Sequence, residues 1–160
     1  MESKKQFAII LGAVFCAIVL YAMIRIFSED DESRVRKTIY AGVLAVERQD
    51  ILKCGLLLSD DYQDSYGHNK AMVLKFVSEI FKEYKSFKIH IKQLKIEIKE
   101  SSAEADIAFK CYFKKWGDEK RMYYDTGKLK VHFDKEGRRW KVKKIEYTGA
   151  NELLFIQSVA

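Results

Sequence analysis

The 160-residue chain reads as an α+β protein, with an N-terminal transmembrane helix followed by three helices packed on a strongly curved antiparallel sheet of about four strands. Three observations lead there. Residues 7–24 form an apolar run without a charge; apolar residues then recur at helical spacing as far as Tyr84; from Lys88 onward they alternate with polar ones.

The apolar run, FAIILGAVFCAIVLYAMI, would span about 27 Å as a helix, close to the thickness of a hydrocarbon core. Lys4 and Lys5 precede it, whereas Arg25 is followed by Glu29, Asp30, Asp31 and Glu32. This bias favours a cytoplasmic N-terminus, which places the domain on the exported, periplasmic or extracellular, side of an inner (plasma) membrane. A cleaved signal peptide is the main rival, but its apolar stretch is usually shorter and no small-x-small pattern follows this one. Phe15 before Cys16 argues against a lipoprotein signal, and the absence of a polar face argues against a buried core helix. The expected organisation is an anchor over residues 1–27, an acidic joint over 28–32, a domain over 33–149 and an apolar C-terminal segment over 150–160.

Within the domain, Val35, Ile39, Val43 and Val46 form one stripe of a first helix. A second, short helix opens at Asp50, and Asn69 caps a third whose Met72, Val73, Phe76, Val77, Ile80, Phe81 and Tyr84 form a core-facing surface. The strands follow. The second carries Ala105, Ile107, Phe109, Cys111 and Phe113 on one face, and turns are expected at Gly117-Asp118 and at Lys135-Glu136-Gly137. The apolar phase flips between Ile91 and Leu94, between Tyr124 and Leu129 around Gly127, and between Val142 and Ile145. Each flip predicts a bulge, and bulged long strands make a sheet that curls around its helices.

Composition narrows the function classes. With 48% hydrophobic and 32% charged residues and no proline, the chain is neither disordered nor built on stiff linkers. Its three cysteines, at positions 16, 54 and 111, are too far apart for a zinc motif, and only Cys54 and Cys111 could pair in an oxidising compartment. His90 and His132 alternate with apolar neighbours and so point away from the core; with no third spaced ligand they predict no metal, and no cofactor motif is present. No serine or cysteine nucleophile has a histidine that the sequence places beside it.

Three helices and about four curved strands, a first helix ending at Glu47 and Asp50, the loop SDDYQDSYG over residues 59–67 and the amphipathic third helix together resemble the nuclear transport factor 2-like superfamily, the cone fold of SnoaL-like proteins. The resemblance covers residues 32–148 and implies a cone with a pocket at its mouth; the superfamily holds enzymes, ligand binders and scaffolds, so fold does not set function. Its steroid isomerases keep an aspartate base in this loop, which points to Asp64. They also need an oxyanion hole, whose partners would fall near Gly42 and Leu129, where this chain has no polar side chain. Tyr40 is turned about 200° around the helix from Gly42. Anchored cone domains also resemble the bridging components of type IV secretion systems.

Two sets of residues are candidates for binding. Tyr62, Asp64, Tyr66 and His68 would sit near the mouth of the cone and hold the edge of a small ligand, or else simply form a turn. Residues 81–149 hold 19 Lys/Arg against 11 Asp/Glu, a net of +8, whereas residues 28–69 hold 5 against 9, a net of −4. Lys88, Lys92, Lys95, Lys99, Lys128 and Lys130 thus predict a basic outer sheet face, able to meet anionic lipid or an acidic partner, or merely solvated. An exported domain would not meet nucleic acid. The C-terminal Leu153, Leu154, Phe155 and Ile156 either cap the open end of the sheet or pair with a second copy. The leading expectation is a membrane-anchored, non-enzymatic binding or scaffold domain, and the rival is a small-molecule enzyme or carrier using Asp64.

Overall fold

The computed structural model describes Val14, Ala17, Ile18, Val19 and residues 30–148. Three helices, α1 (Asp31–Glu47), α2 (Ile51–Leu57) and α3 (Lys70–Glu83), precede four strands, β1 (Tyr84–Lys99), β2 (Ser102–Lys115), β3 (Asp118–Glu136) and β4 (Arg139–Tyr147). The strands form one antiparallel meander in the order β1-β2-β3-β4. The expected α+β architecture is therefore present.

Each helix starts where a short polar side chain can serve its orphan amides. Asp30 accepts from the Ser33 amide at 2.7 Å, Asp50 from Lys53 at 3.0 Å and Asn69 from Met72 at 3.0 Å. Helix α1 lays Val35 and Ile39 against the sheet, where Ala103 and Ala105 of β2 are small enough to admit them, and Ile107, Val131, Phe133 and Trp140 complete the buried cluster. The stripe departs from the expected one towards its end, where Ala45 is fully buried and Val43 and Val46 are only partly so. Helix α3 half-buries Val73, Phe76, Val77, Ile80, Phe81 and Tyr84 of its expected face, none of them completely, and the correction is at Met72, which is exposed.

Two of the three expected bulges are present. Register shifts between Ile91 and Gln93, which isolates Lys92, and Lys143 is left unpaired between the pairs His132↔Lys144 and Phe133↔Val142. The third is absent: β2 and β3 pair without interruption from Phe113↔Tyr123 through Phe109↔Gly127 to Ala103↔Phe133. Met122 and Tyr124 are not core residues in a flipped phase; they stand exposed on the outer face, and Tyr123, Asp125 and Gly127 share the inner face with Leu129, Val131 and Phe133. A further shift between Lys85 and Lys88, with Ser86 at φ 58°, bends β1 near its start. The two later turns fall at Gly117 and Gly137, as expected, both with positive φ.

Among the described residues no helix is long and apolar enough to cross a membrane. The proposed span over residues 7–24 lies outside the described residues except for Val14, Ala17, Ile18 and Val19, which are helical with exposed side chains. The C-terminal segment 150–160 also lies outside them.

Candidate functional site

Residues 58–69 run from α2 to α3 along β4. The Ser59 amide donates to the Val142 carbonyl at 2.9 Å and the Gln63 amide to the Lys143 carbonyl at 3.1 Å, so the bulge at Lys143 and the loop meet. Ser59, itself buried, donates its hydroxyl to Glu136 at 2.7 Å. These ties fix the loop that carries Tyr62, Asp64, Tyr66 and His68.

Asp64 organises that loop. Its Oδ1 accepts from the amides of Tyr66 at 2.9 Å and His68 at 2.8 Å, and its Oδ2 lies 2.8 Å from Nδ1 of His68. Its own amide donates to the His68 carbonyl at 3.1 Å. Burial pushes the carboxyl's pKa up, but the hydrogen bonds from His68 and Tyr66 together outweigh it and hold the group below the ordinary aspartate value. A carboxylate held this way is a poor proton acceptor at neutral pH. The His68 ring meets Phe76 of α3 edge-on, with centroids 5.1 Å apart, so the Asp64–His68 pair also seats the loop on the third helix.

Asp64, Tyr66 and His68 are brought together, with the Tyr66 and His68 rings 6.1 Å apart, but the two tyrosines differ in access. Tyr62 is 3% exposed, and its phenol is pushed well above its usual pKa by burial and then by the nearby Asp64 charge, whereas Tyr66 is exposed. None of the four lines either of two open hollows among the described residues. One of these, open to solvent, lies on the outward side of α1 beside Arg36, Tyr40 and Leu44; the other, also open, lies by the β1 bulge beside Gln93, Lys95, Asp106 and Lys128. Tyr40 is exposed there, on the side of its helix opposite the buried Val35 and Ile39.

A second polar group stands on the concave face of the sheet, and sequence reasoning missed it. Asp125 of β3 is directly opposite Cys111 of β2. Burial first, then Asp125 and Glu47, push the Cys111 thiol up to about 11. Tyr147, at the end of β4, is pushed up to about 12 by burial, with Asp125 and Cys111 adding to it. Glu47, at the end of α1, accepts from the Ile89 amide at 2.9 Å and lies 3.7 Å from Lys88. Gly127 lets this face close: a Cβ there would lie 3.0 Å from the Phe109 ring and 3.2 Å from that of Tyr147. The signal was available in β3, because counting back in twos from Phe133 through Val131 and Leu129 places Asp125 inward. Cys54 and Cys111 are both free thiols, and the described residues contain no cluster of metal-binding groups.

The outer sheet face carries the predicted lysines in mixed company. Lys95 pairs with Glu97 at 2.6 Å, Lys99 with Glu104 at 3.0 Å and Lys130 with Asp106 at 3.6 Å. His132 lies between Glu104 at 3.7 Å and Glu146 at 3.4 Å. Lys92 sits exposed in the bulge and Lys128 exposed beside Ala108.

Three helices over a curved four-stranded meander, with polar groups on its concave side, define a protein of the nuclear transport factor 2-like fold. Solved structures agree. The chain is similar to a nuclear transport factor 2-like superfamily protein from Salmonella enterica, at 14% identity and TM-score 0.64, covering 76% of this chain and 93% of that one. It is also similar to a candidate scytalone dehydratase from Novosphingobium aromaticivorans, at 13% identity and TM-score 0.68 over 75% and 84% of the two chains. A candidate dehydratase of the same fold from Streptomyces avermitilis matches at 12% identity and TM-score 0.65 over 75% and 97%. At these identities the likeness concerns the fold. No family model matches the sequence, and no curated protein matches it.

Proposed function

We propose that the protein is a membrane-anchored, non-enzymatic binding or scaffold domain, held at an inner membrane by residues 7–24 with its cone on the exported side. The observation that carries the non-enzymatic part is the state of Asp64. The one loop aspartate that the resemblance nominates as a base has its carboxylate engaged by two amides and an imidazole of its own loop. Its would-be partners are Gly42 and Leu129, neither of which donates a side-chain hydrogen bond. The anchor is supported by the uncharged run and by the helical Val14, Ala17, Ile18 and Val19, whose aliphatic side chains find no protein cover. Such a chain would stay in membranes washed with alkaline carbonate, and one starting at Ser28 would be released. Protease added to intact spheroplasts would digest the cone. A full-length chain recovered in the soluble fraction with its first residues intact would defeat the anchored reading.

A second reading has its own observation. Asp125, Cys111 and Tyr147 line the concave face where a small, largely apolar ligand would lie, and dehydratase-named proteins share the fold. It makes Asp125, not Asp64, the polar contact. Changes in the Tyr123 and Tyr147 ring resonances on titration with a panel of aromatic ligands would support it, and Asp125→Ala would remove them.

A further inference from the structure

The outer face of the sheet has two unlike halves. Around Lys95, Glu97, Glu104, Asp106, Lys130 and Glu146 the signs alternate, and the register sets Lys95 opposite Asp106, Asp106 opposite Lys130 and Lys130 opposite Glu146. Beyond the β1 bulge, towards the β2–β3 hairpin, carboxylates become scarce: Lys85, opposite Lys114, pairs with Glu119 beside the hairpin, and the strand positions between hold none. There the outward positions are Lys88 and His90 on β1, Ala108, Lys110, Tyr112 and Lys114 on β2, and Met122, Tyr124, Thr126 and Lys128 on β3. Tyr124 is 64% exposed and Met122 54%.

This half is organised around one ammonium group. Lys110 Nζ lies 4.4 Å from the Tyr124 ring centroid and 5.0 Å from that of Tyr112, and His90 meets Tyr112 edge-on at 5.8 Å. With Lys110 lying across them, the two tyrosine rings, 6.3 Å apart and tilted 48° to each other, form an aromatic patch with lysines around it. Of these lysines only Lys88 has a described carboxylate within reach, Glu47 at 3.7 Å. Like charges gathered with little counter-charge cost free energy that an anionic partner recovers.

We propose that this lysine-rich half docks an acidic, extended polypeptide segment of a partner protein, a surface that deepens the binding role proposed above by naming its partner's chemistry. Extended chain suits it in dimension. Alternate residues of a strand are about 7 Å apart and neighbouring strands about 5 Å, so carboxylates on every second residue of a segment laid across the strands come within reach of Lys88, Lys110, Lys114 and Lys128. A lipid surface fits less well. Asp31, at the start of α1, contacts Trp140 and Lys135 by the β3–β4 hairpin, while Glu47, at its end, contacts Lys88. The patch therefore lies about 25 Å from where the chain leaves residues 1–30.

The test uses the full chain in neutral detergent and a fluorescein-labelled peptide of alternating glutamate and serine, read by anisotropy. Binding should weaken about tenfold between ~50 and ~200 mM salt. Lys110→Ala, Lys114→Ala and Lys128→Ala together should cost at least about tenfold in affinity. A triple with the same charge change on the helical side, Lys53→Ala, Lys75→Ala and Lys82→Ala, should cost less than about twofold. Thermal melts matching the unaltered protein would show that each triple is folded. The proposal is overturned if the two triples weaken binding equally, if the peptide fails to bind, or if the sheet triple abolishes sedimentation with phosphatidylglycerol vesicles while sparing the peptide. Because the readout does not involve fractionation, failure here leaves the anchored reading standing, and the reverse.

Discussion

The carboxylate of Asp31, in the first turn of α1, accepts a hydrogen bond from Nε1 of Trp140, a buried indole on β4, at 3.2 Å. The same carboxylate pairs with Lys135 at 2.8 Å. A single acid thus closes the helix start onto the last hairpin. Asp31→Ala would strand the indole N–H in the core and is expected to cost about 1–3 kcal/mol, whereas Asp31→Asn keeps an acceptor and should cost less. Denaturant melts of the two variants give the comparison; equal stabilities would show that the indole bond contributes nothing.

Acid stability should report on Asp64. Its folded pKa lies below that of the unfolded chain, so its contribution is fully present above the unfolded value, near 3.9, and fades as pH falls through the folded value. Asp64→Asn should therefore lower stability at pH 6 and make the acid limb below about pH 4 shallower. Paired melts at these two pH values test it, and an unchanged acid limb counts against the loop's reliance on this carboxylate.

At Gly127 the question is space. A Cβ 3.0 Å from two atoms of the Phe109 ring must displace an aromatic side chain that lies partly buried on the concave face, so Gly127→Ala should lose about 1–3 kcal/mol through overpacking. Gly117→Ala is the contrast, with φ +83° and nothing within 4 Å: its cost is conformational, about 1–2 kcal/mol. Adding Phe109→Leu should rescue the first variant and leave the second as it was.

Cys111 should be chemically quiet. With its thiol pushed up to about 11, only about one molecule in a thousand carries a thiolate at pH 8, so an aromatic disulfide reagent should react far more slowly with it than with an ordinary exposed thiol. Asp125→Asn removes one of the charges that raise the value and should speed the reaction several-fold. Denaturation should release both Cys54 and Cys111 to full reactivity; a fast-reacting Cys111 in the folded chain would contradict this.

What could be read in the sequence was local. The caps at Asp50 and Asn69 and the bulges at Lys92 and Lys143 were legible because each depends on neighbours a few residues away. The loop over residues 59–67 was placed correctly between the second and third helices. Asp64's engagement by its own loop was open to either reading until the distances to Tyr66 and His68 were known.

Between Tyr124 and Leu129 the same reasoning failed, for a physical reason. Alternation shows that successive residues lie on opposite faces but not which face the helices cover, and in β3 it is Tyr123, not Met122 or Tyr124, that turns inward. Taking them as core reversed the strand and hid Asp125. The lysines show the other limit. Lys130 meets Asp106, and Lys110 meets Tyr124, only because the β2–β3 register brings those residues together. The sequence by itself determined which segments form helices and strands, their caps and most of their bends, since short-range sterics and hydrogen bonding decide these. Which side of the sheet is buried, and which charges are neutralised, was decided by packing and register between residues far apart in the chain.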